Sequence, residues 1–126
     1  MKEKQVKALM IEPYEHPRVI ELKCDLDSLQ KAVSIGAPEQ GLIEFVYLED
    51  NVSILCNEEG KLISLTPNRW LGEDILCGVF YVVAENDEGE LISLTQEQQE
   101  RYSKMFYDPD VIDKDKVSRT IVFRFM

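Results

Sequence analysis

Residues 54–70 read ILCNEEGKLISLTPNRW, and the reading of this stretch decides which fold the chain can adopt. An apolar run meets Asn57-Glu58-Glu59-Gly60, a second apolar run follows, and Thr66-Pro67 opens a new element. A four-residue loop ending in glycine suits a type I turn closed by a left-handed residue, so the stretch predicts a β-hairpin. Gly60 is the residue expected to take the positive φ, and Asn57 can start the turn by bonding its own downstream backbone. The text recurs 29 positions later: NEEGKLISLT at 57–66 and NDEGELISLT at 86–95 agree at eight of ten positions. Gly89 is then expected to close the second turn as Gly60 closes the first. Two copies are too few for a solenoid, so the repeat reads as one hairpin solution used twice, or as an old partial duplication.

Each copy reaches a threonine suited to cap a helix. Gln98 stands three residues after Thr95, a capping box that predicts a helix over about 96–106. Its inward face would be Tyr102, Met105 and Phe106, with Asp108-Pro109 as the stop. Pro67 follows Thr66 and suits a first helical position, and Gly72 can end the element, so 67–71 predicts one helical turn. That turn would present Asn68, Arg69 and Trp70 together: an amide, a planar guanidinium fork and an aromatic ring. Such a set suits a carboxylate, a phosphate or a planar group. The competing reading is structural, with Arg69 paired, Asn68 bonded to loop backbone and Trp70 plugging the core.

Outward from this stretch, 6–11 and 18–22 predict two strands joined by a loop through Pro13, His16 and Pro17. Asp25 is a plausible cap for a helix with Leu26, Leu29 and Val33 inward, ended by Gly36 and Pro38. Residues 42–48 are apolar apart from Glu44 and predict a central strand covered on both sides. Residues 79–84 form the most apolar run, and 120–125 alternate Ile121, Phe123 and Phe125 with Thr120, Val122 and Arg124, a half-buried strand. The sum is an α+β single domain over 1–126: a mostly antiparallel sheet of two or three hairpins with two helices on one face or end. Its ββαβ opening is β-grasp-like.

The chain of 126 residues is long enough for a real core, and 44% hydrophobic with 30% charged residues suits a globular chain. A net charge of −10 argues against direct nucleic-acid binding and permits a basic protein partner, or a surface imitating nucleic acid. Cys24, Cys56 and Cys77 cannot all pair within one chain, no secretory leader or apolar span is visible, and a reducing cytoplasm is expected. His16 is the only histidine and sits in a turn, so no catalytic residue is assigned. The thiols lack paired ligand spacing, the glycines form no phosphate loop, and neither a metal nor a cofactor is expected. The acid pairs Glu49-Asp50, Glu58-Glu59, Glu73-Asp74 and Asp87-Glu88 read as solvated turns.

Four pieces of text, KALMIEP at 7–13, DLDSLQKAV at 25–33, ILCNEEGKL at 54–62 and PNR at 67–69, together resemble the domain-of-unknown-function family 3846. The resemblance covers about 6–106 and leaves 107–126 as an extension ending in a strand. It implies a setting in Gram-positive bacteria, their phages and mobile elements, and it adds weight to Asn57, Gly60, Asn68 and Arg69. The segment SIGAPEQG at 34–41 departs from it, standing where a shorter glycine turn is expected. The leading expectation is a small cytoplasmic binding or accessory protein of a mobile element or phage, acting by protein–protein contact. Homodimerisation through a sheet edge is an option. The alternatives are an acidic DNA mimic of antirestriction type, and a small-ligand binder or enzyme using Asn57, Asn68 and Arg69.

Overall fold

The computed structural model describes residues 4–113, 115 and 116, so the strand expected at 120–125 lies outside the described residues. Its elements are β1 (Gln5–Ile11), β2 (Arg18–Lys23), α1 (Leu26–Ala32), β3 (Ile43–Glu49) and β4 (Val52–Asn57). Then come β5 (Pro67–Leu71), β6 (Asp74–Cys77), β7 (Phe80–Glu85), β8 (Leu91–Ile92) and α2 (Gln96–Met105). The main sheet runs β2-β1-β7-β4-β3, with β8 also paired to β7, and β5-β6 form a separate two-stranded sheet. This is the expected α+β architecture. Every pairing is antiparallel, so the likeness to a β-grasp is confined to the ββαβ order of its opening.

Period-2 alternation divides the core between the two faces of the sheet. On one side Leu9, Ile11, Ile54, Phe80 and Val82 pack with Tyr102 and Phe106 of α2. On the other, Val6, Ala8, Leu55, Tyr81 and Val83 pack with Leu29 of α1 and with Val33 at its C-cap. The helices therefore cover opposite faces, where a single helical layer was expected. The most apolar run becomes the central strand β7, flanked by β1 and β4, as its composition demands. β3, expected at the centre, stands at an edge instead. Asp25 caps α1, its carboxylate accepting from the Ser28 backbone N–H at 2.8 Å. The Thr95–Gln98 capping box of α2 is formed in both directions. Leu26 and Met105, expected inward, are exposed.

The two copies of the repeated text fold differently. Asn86–Gly89 makes the expected hairpin turn: the Asn86 N–H donates to the Glu90 carbonyl, Gly89 has φ +78°, and Leu91–Ile92 pairs with β7. The first copy makes no hairpin. Residues 58–64 wind through successive turns, with the Ile63 N–H donating to Glu59 and the Leu65 N–H to Gly60. The reason lies in the sheet. β4 is flanked on both sides by β3 and β7, so no edge is open to a returning strand. β7 is open beyond Val82, where its ladder with β1 stops, and β8 takes that place. Residues 67–71, expected as a helical turn, are strand β5. Proline is tolerated there as the first residue of a strand, and Gly72, with φ +61°, turns the chain into β6.

Gly60 is consequently not left-handed. A Cβ there would come within 2.8 Å of the Cys77 carbonyl oxygen, so what the position requires is close backbone approach. Gly89→Ala should cost about 1 kcal/mol through its positive φ, and Gly89→Asn less. Gly60→Ala should cost more, about 1–3 kcal/mol, because backbone must move. Urea denaturation midpoints of the three variants check this order.

Candidate functional site

Asn68 and Arg69, singled out as exposed recognition residues, are buried at 0% and 2% exposure. In β5 they stand between the small sheet, the β1–β2 loop and the C-terminus of α2. Arg69 makes five hydrogen bonds with its guanidinium. Its Nε and one terminal nitrogen donate to the Phe106 carbonyl at 3.2 and 3.1 Å, and that terminal nitrogen also donates to the Glu15 carbonyl at 2.6 Å. The other donates to Asn68 Oδ1 at 2.8 Å and to the Asn68 carbonyl at 3.4 Å. The Asn68 amide nitrogen donates to the carbonyls of Ile11 and Gly78 at 2.9 and 2.8 Å.

Phe106 is the C-cap of α2, so Arg69 places a cation at the partially negative end of that helix. Burial pulls the guanidinium below its usual value, and the negative charges of Asp110 and Asp108 oppose the shift. His16 belongs to the same joint: its ring stacks on Tyr107 at 4.1 Å, and its Nδ1 lies 2.6 Å from the Tyr107 carbonyl. Since a carbonyl only accepts, that nitrogen is the protonated one. Trp70 points the other way from Arg69 and is 40% exposed instead of plugging the core; its backbone N–H donates to Asp110 at 3.0 Å.

Asn57 plays the matching part at α1. Its amide nitrogen donates to the carbonyl of Val33, the C-cap of α1, at 3.2 Å. Its Oδ1 accepts from the Glu59 N–H at 2.9 Å, the expected local turn bond. The Tyr81 hydroxyl donates to the neighbouring Ala32 carbonyl at 2.9 Å. Burial first, then the Glu12 charge, pushes the Tyr81 phenol up to about 12. Tyr102 donates to Glu49 at 2.9 Å and is likewise pushed up to about 12, by burial and then by that carboxylate.

Asn57 also lines a cavity of about 310 Å³ between β3, β4, the 58–64 loop and β6, with Glu44, Cys56, Lys61, Asp74 and Cys77. Asn68 and Arg69 do not line it, so the three polar candidates do not converge on one concavity. Lys61 is bonded to Asp74 across its mouth. Burial raises the Cys77 thiol to about 11, which keeps it a neutral thiol at physiological pH and a weak nucleophile. Among the described residues no group of three or more His, Cys, Asp or Glu is placed to hold a metal ion.

The second unusual surface was not legible as such in the sequence. Leu42, Phe45 and Tyr47 are 59%, 43% and 67% exposed, on and beside the edge strand β3. Phe45 and Ile43 also line an open groove of about 690 Å³ beside α1, with Leu29 and Leu91 and a rim of Lys4, Glu85 and Glu90. Here α1 leaves the sheet face uncovered. Alternating apolar residues signal a strand, but nothing in the alternation tells an edge from a centre.

The acid pairs lie at or beside turns, at both ends of the sheet: Glu49-Asp50 and Asp87-Glu88 at one, Glu58-Glu59 at the other. No helix among the described residues is long and apolar enough to cross a membrane. Residues 6–107 match the family model "Domain of unknown function (DUF3846)", and the chain belongs to that family. No curated protein and no solved structure matches it.

Arg69→Met should strand the Phe106 and Glu15 carbonyls and lower stability by roughly 3–5 kcal/mol. Arg69→Lys should recover only part of this, because an ammonium cannot reproduce the fork. Urea denaturation of both variants gives the comparison. Tyr81 and Tyr102 have folded values above the ordinary 10, so the stability they contribute is complete below pH 10 and is lost as pH rises through about 12. Between pH 9 and 12 the wild type should lose more stability than a Tyr81→Phe/Tyr102→Phe variant in the same urea titrations.

Proposed function

We propose that this member of the family is a small cytoplasmic binding or accessory domain of a phage or mobile element that acts by protein–protein contact through the α1-side face of β3. The observation that carries the reading is the pair Phe45 and Tyr47, solvent-exposed on one face of a strand whose outer backbone edge has no partner strand among the described residues. Aromatic side chains of this kind provide large, stiff contact area, and an open sheet edge offers backbone groups for pairing. Glu44, Glu49 and Asp50 lie on or beside the same strand, so the complementary surface is apolar with a basic rim. A second copy of the chain would bring these carboxylates against their own kind.

The alternatives have less support. A nucleic-acid mimic needs carboxylates arrayed along one face, and here the acid pairs sit at opposite ends of the sheet. A ligand site built jointly on Asn57, Asn68 and Arg69 would have to take their donors from the backbone carbonyls they now hold.

The test is affinity capture with wild type and with a Phe45→Ser/Tyr47→Ser variant. Both side chains are exposed, so the variant should stay folded, with a urea midpoint close to wild type. A protein recovered by wild type and lost by the folded variant is the expected result. The same recovery from both would sink the reading.

A further inference from the structure

We infer that the outer edge of β5 is a docking site for an extended peptide segment that carries an acid and, two positions on, an aliphatic residue. Residues 108–113 of this chain fill the site as a tethered strap, and such a segment of a protein partner can replace them. The surface is a different one from β3, so the failure of either leaves the other intact.

The edge is built first. β5 pairs along one side with β6, and among the described residues no strand pairs with its other side. A strand edge presents backbone groups that need partners. On the open side the Trp70 N–H donates to the Asp110 carboxylate at 3.0 Å, so a side chain stands where a neighbouring strand's carbonyl would. The guanidinium of the adjacent Arg69 is close enough for Asp110 and Asp108 to act on its charge. Its hydrogen bonds to Phe106, Glu15 and Asn68 go to neutral oxygens, so its positive charge favours acids along this edge.

The strap shows which chemistry the edge selects. Residues 107–113 read YDPDVID, and burial alternates at the far end: Asp110 and Ile112 are partly buried, Val111 and Asp113 exposed. Asp110 meets the N–H and the cation, and Ile112 packs on the apolar cluster of Leu65, Ile75 and Cys77. A spacing of two puts both side chains on one side of an extended chain. An acidic and aliphatic segment therefore fits, and a basic one does not.

The strap is also lightly held. Among the described residues its anchors are the Tyr107–His16 stack, one solvent-exposed hydrogen bond and one partly buried isoleucine, while Val111 is 92% exposed. Segments with so few buried contacts open at little cost while the rest of a fold stays closed. The match to the family model ends at residue 107, so the edge is built from matched residues and its cover comes from beyond them.

The test is amide exchange of the full chain, read residue by residue by NMR. Ile112→Ser should speed exchange of the Trp70 amide roughly 5–30-fold, the effect of losing one part-buried apolar contact. Asp110→Ala, which removes the acceptor, should speed it as well. The amides of β7 should keep their wild-type rates in both, and Val111→Ser should change neither. A capped peptide of residues 107–113, added to the Ile112→Ser chain at about 1 mM, should slow Trp70 exchange again, because a short tether holds the natural segment at a similar effective concentration. The same peptide carrying Asp110→Asn and Ile112→Ser should not.

Unchanged Trp70 exchange in both variants would overturn the inference. So would an equal acceleration of the β7 amides, which would make 108–113 an ordinary part of the core. Acceleration that the natural peptide fails to reverse, or that both peptides reverse equally, would remove the docking site.

Discussion

One buried cation holds the parts of this molecule together. Among the described residues no carboxylate is hydrogen-bonded to the Arg69 guanidinium; it donates to the carbonyls of Phe106, Glu15 and Asn68 and to Asn68 Oδ1. Those acceptors belong to the end of α2, the β1–β2 loop and β5. Asn68 extends the joint to Ile11 at the end of β1 and to Gly78 between β6 and β7. The small β5–β6 sheet thus docks on the main sheet through polar bonds as well as through Leu76. Desolvating a guanidinium is costly, and the cost is met here by a helix C-terminus and by the nearby charges of Asp108 and Asp110.

The same solution appears at α1 in neutral form. α1 has 7 residues and α2 has 10, lengths at which an isolated helix is marginal. Each begins with a side-chain cap close in sequence and ends on a carbonyl held by a side chain far away: Asn57 and Tyr81 for α1, Arg69 for α2. Helix starts are local and helix ends are tertiary in this fold.

What remains outside this framework of bonded polar groups is the β3 edge. Phe45 and Tyr47 lie on the sheet face that α1 packs against, but beyond its reach, and a helix of two turns cannot span five strands. Aromatic residues left open on an unpaired strand invite association, and the acidic residues along β3 restrict which partners can accept the invitation.

Local chemistry was legible in the sequence wherever a few adjacent residues settle the outcome. Asp25 and the Thr95–Gln98 box placed both helix starts, Asn86–Gly89 placed a hairpin, and the run 79–84 marked a strand, whereas the central position expected for 42–48 fell to that run instead. Composition and alternation were enough for an α+β chain with an antiparallel sheet. Tertiary structure alone decided the rest. NEEGKLISLT becomes turns and NDEGELISLT a hairpin because β4 has both flanks occupied and β7 has one free. Pro67–Leu71 becomes a strand because β6 is there to pair with it. Arg69 and Asn68 turn inward because distant carbonyls need donors. Side-chain direction and edge position depend on which neighbours arrive from elsewhere in the chain, and no local window of sequence contains those neighbours.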